Sequence, residues 1–155
     1  MYLTLKLLHV VAVIVFLGNI TTGLFWHAHA ARTRDPKLLA HTMDGIIRSD
    51  RWFTNPAAAT IAITGVLTAI VGHLPILRTR WIAAGLALLI VSGLVFVVRV
   101  TPLQKQLRAL AREGLDGGSA FDHARYEALA RRWELWGAVA LLLPLAAFVL
   151  MILKP

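Results

Sequence analysis

Apolar residues along the chain fall into four long runs, at about residues 3–26, 55–75, 81–99 and 133–153, with polar and charged segments between them. Each run has roughly the 20 residues that a helix needs to cross the hydrocarbon core of a bilayer. Because lipid offers no partner for exposed backbone groups, consecutive spanning helices pack together as an antiparallel bundle. The pattern therefore predicts an all-α fold, an integral membrane antiparallel four-helix bundle that forms one domain over residues 1–155.

Local signals agree with these limits. Asn55-Pro56 is typical of a helix start, Pro102 follows the third run, and Pro144 inside the fourth run predicts a kink. A cleaved signal peptide is the competing interpretation of the first run, because residues 28–30 read Ala-His-Ala, a pattern of small residues typical of a cleavage site. The run is too long for the apolar core of a signal peptide, so we expect a retained span.

Helical periodicity continues in the two long polar segments. The apolar positions that share a face are Leu39, Met43, Ile46 and Ile47 in the first segment and Leu103, Leu107 and Leu110 in the second. We expect an amphipathic helix in each, lying along the membrane surface or extending the third span. Residues 114–118 are expected to form a turn, and Ser119 with Asp122 can open another helix that continues to Trp133.

Lys and Arg residues are divided unevenly between the two sides of the predicted bundle. The two long loops and their edges carry twelve: Arg32, Arg34, Lys37, Arg48, Arg51, Arg99, Lys105, Arg108, Arg112, Arg125, Arg131 and Arg132. The other side carries four: Lys6, Arg78, Arg80 and Lys154. The positive-inside rule then places both long loops in the cytoplasm and both termini outside. This bias explains most of the formal charge of +8 without nucleic acid as a partner, and a homo-oligomer stays open.

The chain has no cysteine and six histidines. The absence of cysteine excludes disulfides, thiolate metal sites, iron–sulfur clusters and a cysteine nucleophile. No serine, carboxylate pair or glycine-rich loop occurs in a pattern typical of a hydrolase or a nucleotide site. Histidine is therefore the candidate metal ligand, and His9 lies within the first run, where an ionisable group is costly and often functional.

Small residues recur along one face of the second run. They are Ala58, Ala62, Gly65, Ala69 and Gly72. Such a groove serves close helix packing, or leaves room for a flat cofactor. His73 follows on the same face, and antiparallel spans bring His9 and His73 to the same leaflet. Since two imidazoles are a common axial ligand pair of haem b, we predict these two as the haem ligands, with interfacial hydrogen bonding as the alternative role of His73.

The remaining histidines form a second set. His27 with His41 is the second choice for a metal pair, whereas solvated side chains are the competing interpretation of His29, His41 and His123.

Two further polar side chains have expected partners. Arg99 ends the third span and extends its cation to the interface, or binds a haem propionate or a lipid phosphate. Asn19 lies mid-span, and we expect it to form an interhelical hydrogen bond with Thr64.

Several of these motifs resemble a known family. Residues 6–9, Lys-Leu-Leu-His, residues 54–56, Thr-Asn-Pro, and Trp81 and Arg99 are similar to the corresponding segments of HemJ-type membrane protoporphyrinogen oxidases. More closely still, the whole chain resembles uncharacterised bacterial four-span integral membrane proteins related to those enzymes and to the copper-resistance CopD-like proteins. The resemblance implies haem b on His9 and a location in the bacterial inner (cytoplasmic) membrane. Residues 82–86 read Ile-Ala-Ala-Gly-Leu where those enzymes carry a His-x-Lys pair, which argues against protoporphyrinogen oxidation but not against haem binding.

Two functional hypotheses follow from the sequence. The first is a small b-type cytochrome that transfers electrons between quinone or a redox partner protein and an acceptor near the outer face; whether it is a haem-dependent membrane oxidoreductase stays open. The alternative is a non-redox membrane protein that handles copper or acts as a scaffold, with histidines at the interfaces. Imidazole is a suitable ligand for Cu(II), whereas Cu(I) favours the soft thioether of methionine. Only three scattered methionines occur, which argues against a Cu(I) transporter.

Overall fold

A computed structural model of the chain describes residues 1–115 and 121–154. All regular structure in these residues is helical, as predicted. The α-helices are α1 (Tyr2–Ala31), α2 (Pro36–Ser49), α3 (Asn55–Val71), α4 (Arg80–Val95), α5 (Thr101–Glu113) and α6 (His123–Leu153). Four continuous helical rods, at 2–31, 36–71, 80–113 and 123–153, are long and apolar enough to span a membrane. The predicted four-helix membrane architecture is therefore confirmed.

Two π-helical turns make the second and third rods continuous. Asp50–Thr54 joins α2 to α3, and Phe96–Val100 joins α4 to α5. Each of these turns ends two residues before a proline, Pro56 or Pro102. Proline has no N–H for the regular helical ladder, and a wider turn lets the chain pass through it without breaking the helix. Both prolines therefore lie within continuous rods, although the sequence pattern placed them at the ends of spans.

The amphipathic segments extend the bundle. The apolar faces of α2 and α5 pack against each other, α5 also packs against α6, and the side chains of Met43, Leu107 and Ala111 in this core are fully buried. The structure thus favours extension of the spans over helices lying flat on the membrane, for α2 as well as α5. Of the predicted connection after α5, Gly114 and Leu115 form a turn, while residues 116–118 and Ser119 lie outside the described residues. Asp122 does cap α6, accepting a hydrogen bond from the Arg125 N–H.

Pro144 lies inside α6, where it leaves the carbonyl of Ala140 without its usual helical donor. The Ser92 hydroxyl of α4 replaces that donor, with 2.7 Å between Ser92 Oγ and the Ala140 oxygen. A bilayer offers no water for such a freed carbonyl, so the bond between neighbouring helices satisfies it. The kink at Pro144 stays a prediction.

The register of α1 against α3 differs from the expected one. His9 lies opposite Ile61 and Thr64, whereas the side chain of Asn19 donates to Asp50 Oδ1 at 3.2 Å and to Thr54 Oγ1 at 2.8 Å. The predicted bond between Asn19 and Thr64 is therefore wrong. In an antiparallel pair, moving ten residues along one helix moves the contact ten residues back on the other, so Asn19 meets Thr54.

The bundle has two unlike ends. At one end, which we call the terminal end, Tyr2 packs close to Gly72, and the Lys154 ammonium lies 5.7 Å from the centre of the Trp81 ring. There the pair α1/α3 and the pair α4/α6 each pack tightly, while α3 and α4 barely touch. The other end, the basic end, holds α2, α5 and the start of α6. The gap between the two helix pairs positions the candidate site.

Candidate functional site

A cavity of about 400 Å³ opens between the two helix pairs in the terminal half of the bundle. Residues of α1, α3, α4 and α6 line it, and most of them are apolar, Phe16, Leu86 and Phe148 among them. The lining residues with donor or acceptor side-chain atoms are Tyr2, Lys6, His9, Thr68, Trp81, Met151 and Lys154. The volume and the apolar walls with a few polar groups are typical of sites for small molecules and cofactors.

The imidazole of His9 is fixed on the α3 side of this cavity. Its Nδ1 lies 3.1 Å from the backbone oxygen of Ile61 and 3.2 Å from Thr64 Oγ1. A carbonyl oxygen only accepts, and the Thr64 hydroxyl already donates to the Thr60 carbonyl, so Nδ1 is the nitrogen that carries the proton. In the neutral ring Nε2 then has a free lone pair. Metal-ligating histidines are commonly oriented in this way, through a hydrogen bond from the second ring nitrogen.

Gly65 makes room for that ring. A Cβ atom at this position would lie 3.1 Å from His9 Cε1 and 3.4 Å from His9 Nδ1. Ala62 and Ala69, from the same small-residue face of α3, line the cavity beside it. The face noted in the sequence thus admits a neighbouring side chain and borders open space, and its use by a flat cofactor stays a prediction.

The structure does not bring His73 to His9. His73 is exposed and lies shortly after the end of α3, with a left-handed backbone φ of 54°. The next residue, Leu74, donates its N–H to the Ala69 carbonyl and so closes the helix. Because Gly72 packs level with Tyr2 while Thr64 packs level with His9, His73 lies about two helical turns nearer the terminal end than the His9 ring. It is not among the residues that line the cavity.

Arg99 is also remote from the cavity. It lies in the second π-helical turn, exposed, with its guanidinium 5.2 Å from the centre of the Trp136 ring. The cations that do line the cavity are Lys6 and Lys154, neither of which sequence reasoning predicted as a site residue. Their position near the two ends of the chain was the available signal, because both termini meet at one end of an even-numbered bundle.

His27 and His41 do not form a pair. His27 is fully buried at the basic end, with Nδ1 3.2 Å from Glu134 Oε1 and Nε2 3.2 Å from the Tyr126 hydroxyl, whereas His41 is exposed on α2. Both nitrogens of His27 are therefore engaged. His29 is exposed, and His123 packs against the Phe121 ring. Within residues 1–115 and 121–154, no three His, Asp or Glu side chains gather as a metal site would require.

Sequence reasoning missed a buried carboxylate. Asp50 receives hydrogen bonds from Asn19, from Thr54 at 2.7 Å and from Gln104 at 2.7 Å, and so joins α1, the first π-helical turn and α5. The signal was available, because Asp50 continues the apolar stripe of α2 and Gln104 that of α5. A polar residue on an apolar helix face indicates a buried partner.

These features belong to a membrane protein of a recognised family. A family model described as predicted integral membrane protein (DUF2269) matches residues 3–155. The chain belongs to this family. No match was found among curated proteins or among solved structures. The family supports the membrane part of the resemblance seen in the sequence, and the relation to HemJ-type and CopD-like proteins stays a prediction.

Proposed function

We propose that this DUF2269 protein binds haem b in the cavity between its helix pairs, with His9 as an axial ligand, and that it transfers electrons in the membrane. The observation that carries the proposal is the His9 ring, which lines an apolar cavity with Nδ1 bonded to the Ile61 carbonyl and with no hydrogen bond at Nε2 from the residues that the structure describes. A neutral imidazole oriented by a backbone carbonyl is the ligand that haem iron takes in many b-type sites.

The rest of the cavity suits the same group. A porphyrin is flat and apolar with two carboxylates on one edge, and the walls are apolar while Lys6 and Lys154 both line the site. Pairing of these ammonium groups with the propionates would orient the ring edge toward the terminal end. Lys154 also lies over the Trp81 ring, which holds its charge beside the cavity.

Each part of the chain then has a defined task. Haem, when bound, supplies one-electron chemistry, and the protein binds it, orients it and keeps water from it. His9 would hold the iron, Gly65 leaves space for the His9 ring, and the apolar side chains of α4 and α6 line the opposite side. Quinone or a redox partner protein is the proposed source or acceptor of the electron.

The copper hypothesis has weaker support. His27, the buried member of the second-choice metal pair, has two ring nitrogens that contact Glu134 and Tyr126 inside the bundle. A copper ion would have to displace both contacts.

The optical spectrum of the purified protein tests the proposal. Protein expressed with adequate haem should show a Soret band and reduced α and β bands, and His9→Ala should lose most of the bound haem. His73→Ala and His29→Ala are matched controls, because both residues are exposed, and they should keep the wild-type spectrum. Free imidazole should restore haem to His9→Gly, which separates loss of a ligand from loss of the fold. A wild-type protein without haem, or a full spectrum in His9→Ala, would overturn the proposal.

A further inference from the structure

We infer that Met151 is the second axial ligand of the haem proposed above, so that a histidine and a methionine hold the iron. The inference rests on the proposed function. It starts from the absence of His73 from the cavity lining, which leaves His9 as the one histidine that lines the site within residues 1–115 and 121–154. A six-coordinate iron needs a ligand on each face of the porphyrin.

Met151 is on the wall opposite His9. His9 belongs to α1 and packs on α3, whereas Met151 belongs to α6 and packs on α4. The two helix pairs are the two sides of the cavity, and both residues line it. A flat ring between the pairs would therefore have the imidazole on one side and the thioether on the other.

Gly85 of α4 provides a place for the methionine. The methyl group of Met151 occupies the space in which a Gly85 side chain would lie, and Met151 Sδ is 3.9 Å from that same point. Gly85 is buried and lines the cavity too. The arrangement parallels that of Gly65 and His9 on the other wall, since in both cases a missing side chain admits the group that can bind iron.

The other donor atoms of the lining fit the role less well. The Thr68 hydroxyl donates to the Thr64 carbonyl, and the Lys154 ammonium lies over Trp81. Lys6 would have to lose its proton to bind a metal. Tyr2 packs beside Gly72 at the terminal end, about two helical turns from the level of His9. Met151 is the neutral, polarisable donor among these residues.

The ligand pair has a chemical consequence. A thioether favours ferrous iron more than a second imidazole does, so histidine–methionine ligation raises the reduction potential of the haem. The site would then accept an electron more readily than a bis-histidine cytochrome.

Met151→Leu tests the inference, with Met43→Leu as the matched control. Leucine conserves much of the side-chain volume but has no sulfur. We expect Met151→Leu to keep haem, to lose the long-wavelength sulfur-to-iron charge-transfer band of the oxidised protein, to change from low spin to high spin, and to show a lower reduction potential. Met43 is fully buried in the core of the basic end, and Met43→Leu should keep the band and the potential.

Gly85→Ala provides a second variant. Its added methyl would displace the Met151 side chain without removing the sulfur, so the charge-transfer band should weaken or shift. Haem that depends on His9 but keeps its spin state and potential in Met151→Leu would overturn the methionine assignment alone. A wild-type protein that takes up no haem would overturn the assignment and the proposed function together.

Discussion

The position of the His9 ring depends on the absence of a side chain at Gly65. A Cβ at Gly65 would come within 3.1 Å of His9 Cε1, closer than ordinary van der Waals contact. We expect Gly65→Ala to push the ring away from the Ile61 carbonyl and to lower the haem-to-protein ratio while the fold is kept. Gly18→Ala is the control, because nothing lies within 4 Å of an added methyl there. Equal haem ratios in the two variants would show that the ring has other room to move.

Single residues also mark how far sequence reasoning reaches. His9 could be singled out because an ionisable residue inside an apolar run is costly. Its neighbours could not, because helical periodicity gives the face of a residue but not the register between two antiparallel helices. For the same reason the predicted partner of Asn19 was Thr64, which lies ten residues from its actual partner Thr54. Met151 was not predicted as a ligand, because a methionine in an apolar span usually serves only to fill the core.

At the scale of elements, the polar junction around Asp50 holds three helical segments together. The carboxylate accepts hydrogen bonds from Asn19, Thr54 and Gln104. Asp50→Asn would turn one acceptor into an NH2 group that faces a donor, so we expect a loss of about 1–3 kcal/mol in the free energy of unfolding. Thermal unfolding in detergent measures it as a lower Tm. Asp122→Asn should change the Tm little, because asparagine caps a helix about as well as aspartate.

The elements themselves were only partly predictable. The four apolar runs gave the four rods, but Pro56 and Pro102 indicated ends where the helices in fact continue. A proline is equally compatible with the first turn of a helix and with a π-helical turn that bypasses its missing donor, and local sequence does not distinguish them. The packing of α2 against α5 decides whether the helices continue, because their apolar faces bury each other.

The whole molecule is longer than a bilayer is thick. The rod at 36–71 has 36 residues, about 54 Å of helix against roughly 30 Å of hydrocarbon. One end must therefore project from the membrane. The basic end is suited to this, because it has a buried core of its own. At that end Asp44 forms ion pairs with Arg108 and Arg112, and a buried apolar core surrounds Leu107. The cavity lies in the other half, where the exposed surface of the helices is predominantly apolar.

The distribution of Lys and Arg residues predicts the orientation of this molecule in the membrane. The structure gathers the terminal residues and the loop at 72–79 at one end, while twelve of the 16 Lys and Arg residues belong to the other half of the topology. We expect the basic end in the cytoplasm. Because the chain has no cysteine, single cysteines give a clean readout. An impermeant thiol reagent applied to intact cells should label Leu77→Cys, in the exposed loop of the terminal end, and should label Ala124→Cys only after the cells are opened. The reverse pattern would invert the map and place the His9 cavity in the inner leaflet, with the proposed haem ligands unchanged.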